Sequence, residues 1–269
     1  MKKIKKMLIS VFAITFIILC FTNCENSNET ADTSKIMVRL TDAPGDYEEV
    51  NIEVVDVMMK TNTDPDETRG WVSLSNIDRG IYNLLDFTGG VSLLVAEGQV
   101  PSGYLGQLRL VLGTNNTIKK GGQVYPLSTP SGQQSGLKLK INETLVPGIT
   151  YELMMDFNVD KSIVKAGNSG KYNLHPVITI SSTATSGSIK GKINPILEGF
   201  QVVASVEVGN ETISAYANEQ GMFQLYGVPA GTYRLTLTPE VASGKTPLVI
   251  EDVMVVNGEI TNIGVVSFE

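Results

Sequence analysis

Between residues 35 and 269 the chain is a succession of short runs rich in Val, Ile, Leu, Thr and Tyr, cut at close intervals by glycine and proline. That punctuation leaves little room for anything except many short strands joined by turns. Ile36, Val38 and Leu40 alternate with Met37, Arg39 and Thr41, and Leu137, Leu139 and Ile141 alternate with Lys138, Lys140 and Asn142. A period of two gives each run one apolar and one wetter face, as a half-buried strand requires. Leu108, Leu110 and Leu112 repeat the pattern, and Ile178 with Ile180 closes the first half. Lys120-Gly121-Gly122-Gln123 predicts a hairpin, because paired glycines accept the positive φ of a tight turn. Val91 to Gln99 alone reads as a short helix. The expected class is all-β. Ser181 to Gly187 interrupts the alternation with small polar residues and reads as a linker, which places one domain at 35–182 and a second at 187–269.

The start of the chain is of a different kind. Lys2, Lys3, Lys5 and Lys6 precede an apolar run from Met7 to Phe21, broken by Ser10 and Thr15. This is the pattern of a secretory leader, and it is shorter than the roughly 20 apolar residues that a membrane-spanning helix needs. Cys20 and Cys24 are the only cysteines, so no disulfide framework is expected. Phe21-Thr22-Asn23-Cys24 resembles the lipobox of bacterial lipoproteins, with Asn23 where Gly, Ala or Ser is usual and Phe21 where Leu is usual. The resemblance implies a signal peptide at 1–23, an acylated Cys24, and an outer-membrane lipoprotein on the periplasmic or cell-surface face. Each buried methylene of the acyl chains contributes about 0.8 kcal/mol of anchoring. Residues 24–34 hold no aromatic or branched aliphatic side chain and read as a flexible tether.

The formal charge of the whole chain is −7. Cleaving a leader that carries four lysines and no acid lowers it to −11. Basic residues occur in short clusters, such as Lys138 with Lys140 and Lys119-Lys120, and not as the stripe that neutralising phosphates demands, so nucleic acid is not an expected partner.

In the second domain, Gly187, Ile189, Gly191 and Ile193 alternate in an opening strand. Asn218-Glu219-Gln220-Gly221 then turns into Phe223 and Leu225, and Val228-Pro229-Ala230-Gly231 turns into Tyr233, Leu235 and Leu237. The order resembles the carboxypeptidase regulatory-like domain, and it implies a transthyretin-like β-sandwich without catalytic residues. The fold class is thus two tandem β-sandwiches. Related sandwiches include starch-binding modules with exposed aromatic platforms. Tyr216, Tyr226 and Phe200 are the aromatics available for such a role, while Phe223 and Tyr233 read as core.

In the first domain, Leu40 to Tyr47 joins two strands through Pro44-Gly45. Thr129-Pro130-Ser131-Gly132-Gln133-Gln134-Ser135-Gly136-Leu137-Lys138, Asp156 to Val164, Gly103-Tyr104 ahead of Gln107 to Leu110, and Tyr172 to Ile178 complete a set of motifs. Together they resemble a family of bacterial lipoprotein domains of unknown function over about 35–181. The resemblance implies a β-sandwich, with Asn158 where the family pattern prefers Asp.

Three constellations offer chemistry. Asp156, Asn158 and Asp160 alternate, so a strand would project them from one face, and Asp156 and Asp160 are candidate metal ligands. An EF-hand is excluded, since Lys161 occupies the turn glycine and Gly167 the bidentate glutamate. A solvated strand end explains the same residues. Asp64, Asp66 and Glu67 lie in a polar loop that reads as a solvated hairpin. The polar Ser128 to Gly136 loop could bring Gln133, Gln134 and Ser135 beside Asp42 to form a polar ligand site.

His175 is the only histidine and reads as a structural strand residue. Zinc sites built from His and Cys are thereby excluded within one chain, and no Gly-x-Ser-x-Gly elbow, P-loop or dinucleotide fingerprint occurs. No cofactor and no enzymatic activity are expected. The leading expectation is a non-catalytic, lipid-anchored envelope protein that binds a glycan or a partner protein. The alternative is a structural or adhesive assembly subunit, pilin-like or in a surface layer, joined through a strand edge. A hydrolase would need two carboxylates within catalytic reach.

Overall fold

Ile36, Val38 and Leu40 are fully buried along β1 (Thr33–Ala43), while Lys35, Met37 and Arg39 between them are half-exposed, as the alternation predicts. The structure is a computed structural model that describes residues 32–43, 47–64, 66, 68–129, 136–167, 171–175 and 177–269. The leader, Cys24, the Pro44-Gly45 turn, and Gln133, Gln134 and Ser135 lie outside the described residues. The expected tether gives up its last two residues to the sheet. Ser34 is buried in β1, where its hydroxyl shares a hydrogen bond with Ser102 and donates to the Val146 carbonyl at 2.8 Å.

Two sheets form the first sandwich. β1 sits in one of them beside β4 (Asn76–Ile77), β6 (Leu93–Pro101), β11 (Thr150–Asn158) and β14 (Ile178–Ser182), in the order β14-β11-β1-β6-β4. The second holds β2 (Glu49–Lys60), β3 (Trp71–Ser73), β5 (Gly80–Asn83), β7 (Gly103–Leu112), β8 (Thr117–Lys120), β9 (Gln123–Ser128), β10 (Leu137–Leu145), β12 (Ile163–Lys165) and β13 (Tyr172–Leu174). Inward side chains of both sheets, among them Leu40, Ile52, Leu108, Leu110, Leu153 and Phe157, make one continuous core. The predicted hairpin joins β8 to β9, with Gly121 and Gly122 at φ of 61° and 73°.

The segment expected to be a helix, Val91 to Gln99, is instead mostly strand. β6 pairs antiparallel with β1, Lys35 opposite Gln99 and Arg39 opposite Leu94, and it buries Val95, Ala96 and Val100. Local helical preference is overridden by the pairing partner.

The second sandwich has its own core, around Ile189, Val206, Phe223, Leu225, Leu235 and Leu237. β15 (Gly187–Ile193), β18 (Met222–Val228) and β21 (Ile260–Val266) form one sheet, and β16 (Val202–Val208), β17 (Glu211–Tyr216), β19 (Gly231–Pro239) and β20 (Leu248–Val255) form the other. Gly191 lets Phe223 close over the strand, since a β-carbon there would lie 2.7 Å from the Phe223 ring and from Ile263. The expected linker is a tied turn. β14 ends at Ser182 and β15 begins at Gly187, and between them Thr183 donates to the Glu152 carbonyl and Ser186 Oγ to the Ser182 carbonyl.

Four edge strands share a device. The register of β10, β18, β20 and β21 slips by one residue where Asn142, Gly227, Asp252 and Gly264 take positive φ of 57°, 74°, 57° and 78°. Each is a bulge, which bends the strand and breaks the flat row of donors and acceptors that another chain could extend.

Candidate functional site

The outer face of the large sheet is ordered by register. Trp71 stands opposite Lys60 on β2, Lys60 opposite Gln107 on β7, and Gln107 opposite Lys140 on β10. One step along the strands, Ser73, Met58, Arg109 and Lys138 make a second row. Directly paired residues share a face, so eight side chains cover four strands, about 14 Å across. The inward neighbours Leu108 and Leu110 are buried and hold β7 in place. Arg109 stacks its guanidinium 3.9 Å from the centre of the Trp71 ring, a cation–π contact that fixes both side chains. Lys60 is only 4% exposed, and its Nζ donates to the carbonyls of Asp64 and Asp66 at 2.6 and 2.8 Å. Its charge is therefore held beneath the face.

That arrangement explains the acidic loop. Asp64 Oδ1 accepts from the Asp66 amide, and Asp66 Oδ1 accepts from the amide and hydroxyl of Thr68. The two carboxylates fold the loop that caps Lys60, and the Asp66 carboxyl is held below its usual range chiefly by the Thr68 hydroxyl.

A second polar region lies where the sandwiches meet. The loop after Phe87 is held to β1 by Thr41, whose hydroxyl bonds the carbonyls of Phe87 and Val91. Its Gly89 and Gly90 pack on Asn218, Met222 and Gln224 of the second sandwich, and Tyr226 donates its phenol proton to the Gly90 carbonyl at 3.2 Å. Arg39 and Glu152 form an ion pair at 2.9 Å beside it. Burial, then the negative charges of Asp156 and Glu152, push the Tyr226 phenol up to about 12. Burial alone pushes the Asp156 carboxyl up to about 6, and no side-chain hydrogen bond or ion pair reaches that carboxylate among the described residues. A cavity of about 190 Å³ opens beside these groups, lined by Glu152, Met154, Thr183, Gln224 and Tyr226 among others.

The residues singled out from sequence are dispersed. Asp156 is half-buried at this seam and not at a solvated strand end. β11 stops at Asn158, whose side chain accepts from the Lys161 amide to cap the one-turn α1 (Val159–Ser162). Asp160 is exposed on that turn, so the strand alternation expected of the three residues ends before it. No group of three His, Cys, Asp or Glu side chains suited to a metal gathers among the described residues. Asp42 is 5% exposed, and its Oδ1 accepts from the Val159 amide at 3.2 Å, which ties β1 to α1. The proposed neighbours of Asp42, Gln133, Gln134 and Ser135, fall outside the described residues. His175 is exposed just beyond β13 and not within a strand, where its amide donates to the Ser162 carbonyl.

Of the aromatics offered as a sugar platform, Tyr226 is taken up by the seam and Tyr216 is half-buried, its phenol raised by burial and then by Asp160 of the first sandwich. Phe200 is 39% exposed. Sequence reasoning missed the Trp71–Arg109 pair. Its signal is a lone tryptophan closing a polar loop, together with an arginine alternating with buried leucines.

Comparison with known proteins adds a family. No curated protein matches the chain. Among solved structures, the Bacillus anthracis TIE protein is 13% identical over 88% of this chain and 34% of its own, with a TM-score of 0.23. A streptococcal ancillary pilin is 12% identical over 89% and 62%, with a TM-score of 0.21, and BcpA, the major pilin subunit of Bacillus cereus, is 11% identical over 88% and 70%, with a TM-score of 0.22. The chain thus spans about a third of the TIE protein, and likeness at this level says nothing of function. Residues 33–176, more than half of the chain and nearly the whole first sandwich, match the family described as Domain of unknown function (DUF4382), and the chain belongs to that family.

Proposed function

We propose that this protein is a non-catalytic binding module, held at the cell envelope by lipid on Cys24, that engages a glycan or a partner protein. The observation that carries the binding role is the Trp71–Arg109 face, where a stacked aromatic and a set of cations stand on a rigid sheet. Aromatic and arginine side chains on a well-supported surface are the usual anchors of recognition. The lysine-rich leader, apolar run and Cys24 support the envelope location.

The assembly alternative requires an edge that accepts a strand, and the bulges on β10, β18, β20 and β21 work against it. Sedimentation of the purified chain with isolated cell envelopes tests the choice. The expected result is saturable binding by a protein that stays monomeric in ultracentrifugation. Concentration-dependent polymers, or no binding, would reject the binding-module reading.

A further inference from the structure

We infer that the end of the first sandwich at which the chain enters β1 docks on the lipid surface, seating the apolar turns around Thr33 in the headgroup boundary. The inference rests on the lipid-anchor part of the proposed function and adds a second membrane contact, made by the folded body itself. Two turns flank Thr33. Pro101, which leads into the turn from β6 to β7, stands opposite it. In the turn from β10 to β11, the Gly148 amide donates to the Thr33 carbonyl at 2.8 Å. Pro101 and Pro147 are exposed there, Val146 is 53% exposed and Ile149 46%. Both turns are uncharged in a chain of net charge −7: from Gly98 to Leu108 and from Thr144 to Tyr151 the sequence holds no Asp, Glu, Lys or Arg. The neighbouring charges on the entering strand are Asp32 and Lys35, and Lys35 pairs with Glu97 at 2.8 Å. The loop between β2 and β3 carries Asp64, Asp66 and Glu67, so the β2 side of this end faces water and the β10–β11 side faces lipid.

The backbone of the β10–β11 turn suits a place where water is withdrawn. Val146-Pro147-Gly148-Ile149 has proline second and glycine third, with Gly148 at φ 76°, as a type II turn requires, and the Ile149 amide closes it on the Val146 carbonyl at 3.2 Å. Each amide of the turn donates within the protein. That of Val146 reaches the Tyr151 phenol oxygen at 2.9 Å, those of Gly148 and Ile149 reach Thr33 and Val146, and proline has no N–H. With no bare donor, the turn loses little on leaving water. Buried Leu145 and Tyr151 hold it on the core.

The length of chain between lipid and sandwich selects this end. Thr33 follows Cys24 by nine residues, which reach at most about 32 Å when fully drawn out. β1 alone has 11 residues and runs about 36 Å. Acyl chains on Cys24 therefore bring the Thr33 end of β1 to the bilayer ahead of the Ala43 end, where Tyr226 of the second sandwich meets the Gly90 carbonyl beside Thr41.

Tryptophan fluorescence of the acylated chain, extracted from membranes and reconstituted into phosphatidylcholine vesicles with or without bromine on their acyl chains, tests this. Ile149→Trp and Val146→Trp, made separately at exposed positions, report on the turn. Val124→Trp, at a 63% exposed position just past the Gly121-Gly122 hairpin at the opposite end of the sandwich, is the control. Wild type gives the signal of Trp71, the single native tryptophan. Bromine should quench the tryptophan added at 149 or 146 at least about twofold more than the one at 124, as burial in the acyl boundary demands. High salt should leave that difference unchanged, since no charge makes the contact. Equal quenching at all three positions in a chain that floats with the vesicles would overturn the docking and leave the anchor standing, and a difference that salt abolishes would overturn the apolar contact. If the extracted chain carries no fatty acid and does not float, the anchor and the docking fall together.

Discussion

Asp156→Asn is expected to stabilise the protein by about 2 kcal/mol at pH 7 and to have little effect below pH 4. The Asp156 carboxyl lies at the seam between the sandwiches, without a hydrogen bond or ion pair among the described residues, and burial lifts it to about 6. A raised acid favours the folded state where it is protonated. Its contribution is therefore complete below the ordinary aspartate range near 4 and is lost as the pH rises through about 6. Raising a carboxyl from that range to about 6 corresponds to roughly 3 kcal/mol, and the side chain is only half-buried, which brings the expectation to about 2. Other carboxylates titrate over the same range in both proteins. The difference between wild type and variant in urea denaturation at pH 4, 5 and 7.5 therefore isolates this group. A difference that does not change with pH would show that Asp156 is not desolvated at the seam.

Gly89→Val should destabilise the chain by about 2 kcal/mol more than Gly121→Val does. Both glycines have nearly the same φ, 63° and 61°, so the backbone cost of a β-branched residue is shared. Their surroundings differ. A β-carbon at Gly121 meets nothing within 4 Å, whereas one at Gly89 would collide with the Asn218 amide and lie 3.0 Å from the Met222 carbonyl. Asn218 cannot simply move aside, because its Oδ1 accepts from the Gln220 and Met222 amides and shapes the turn before β18. Calorimetry of the two variants measures the difference directly. Equal losses would mean that the loop after Phe87 does not bear on the second sandwich.

The class of fold was legible because each sheet has one buried and one wetter face, so period two survives in runs such as Ile36 to Thr41 and Leu137 to Asn142. It failed for Val91 to Gln99, where glycine and glutamate obscured the alternation and pairing with β1 decided the outcome. The bulges were hidden too. Asn142 and Asp252 take positive φ inside strands, and nothing in their neighbours announces it. The candidate site was less legible than the fold. Asp156 reads as a solvated acid until the second sandwich is seen lying over it. Trp71, Lys60, Gln107 and Lys140 are scattered along the sequence and become neighbours only when β3, β2, β7 and β10 fall into register.

The proposed lipid anchor on Cys24 predicts a difference between intact cells carrying wild type and cells carrying Cys24→Ala. Detergent fractionation with antibody labelling and protease shaving of the same cells gives both retention and exposure. The wild-type chain should partition with membranes and carry label incorporated from a radioactive fatty acid, and Cys24→Ala should lose both while remaining folded. Equal solubility of the two proteins, without incorporated fatty acid in either, would contradict the account.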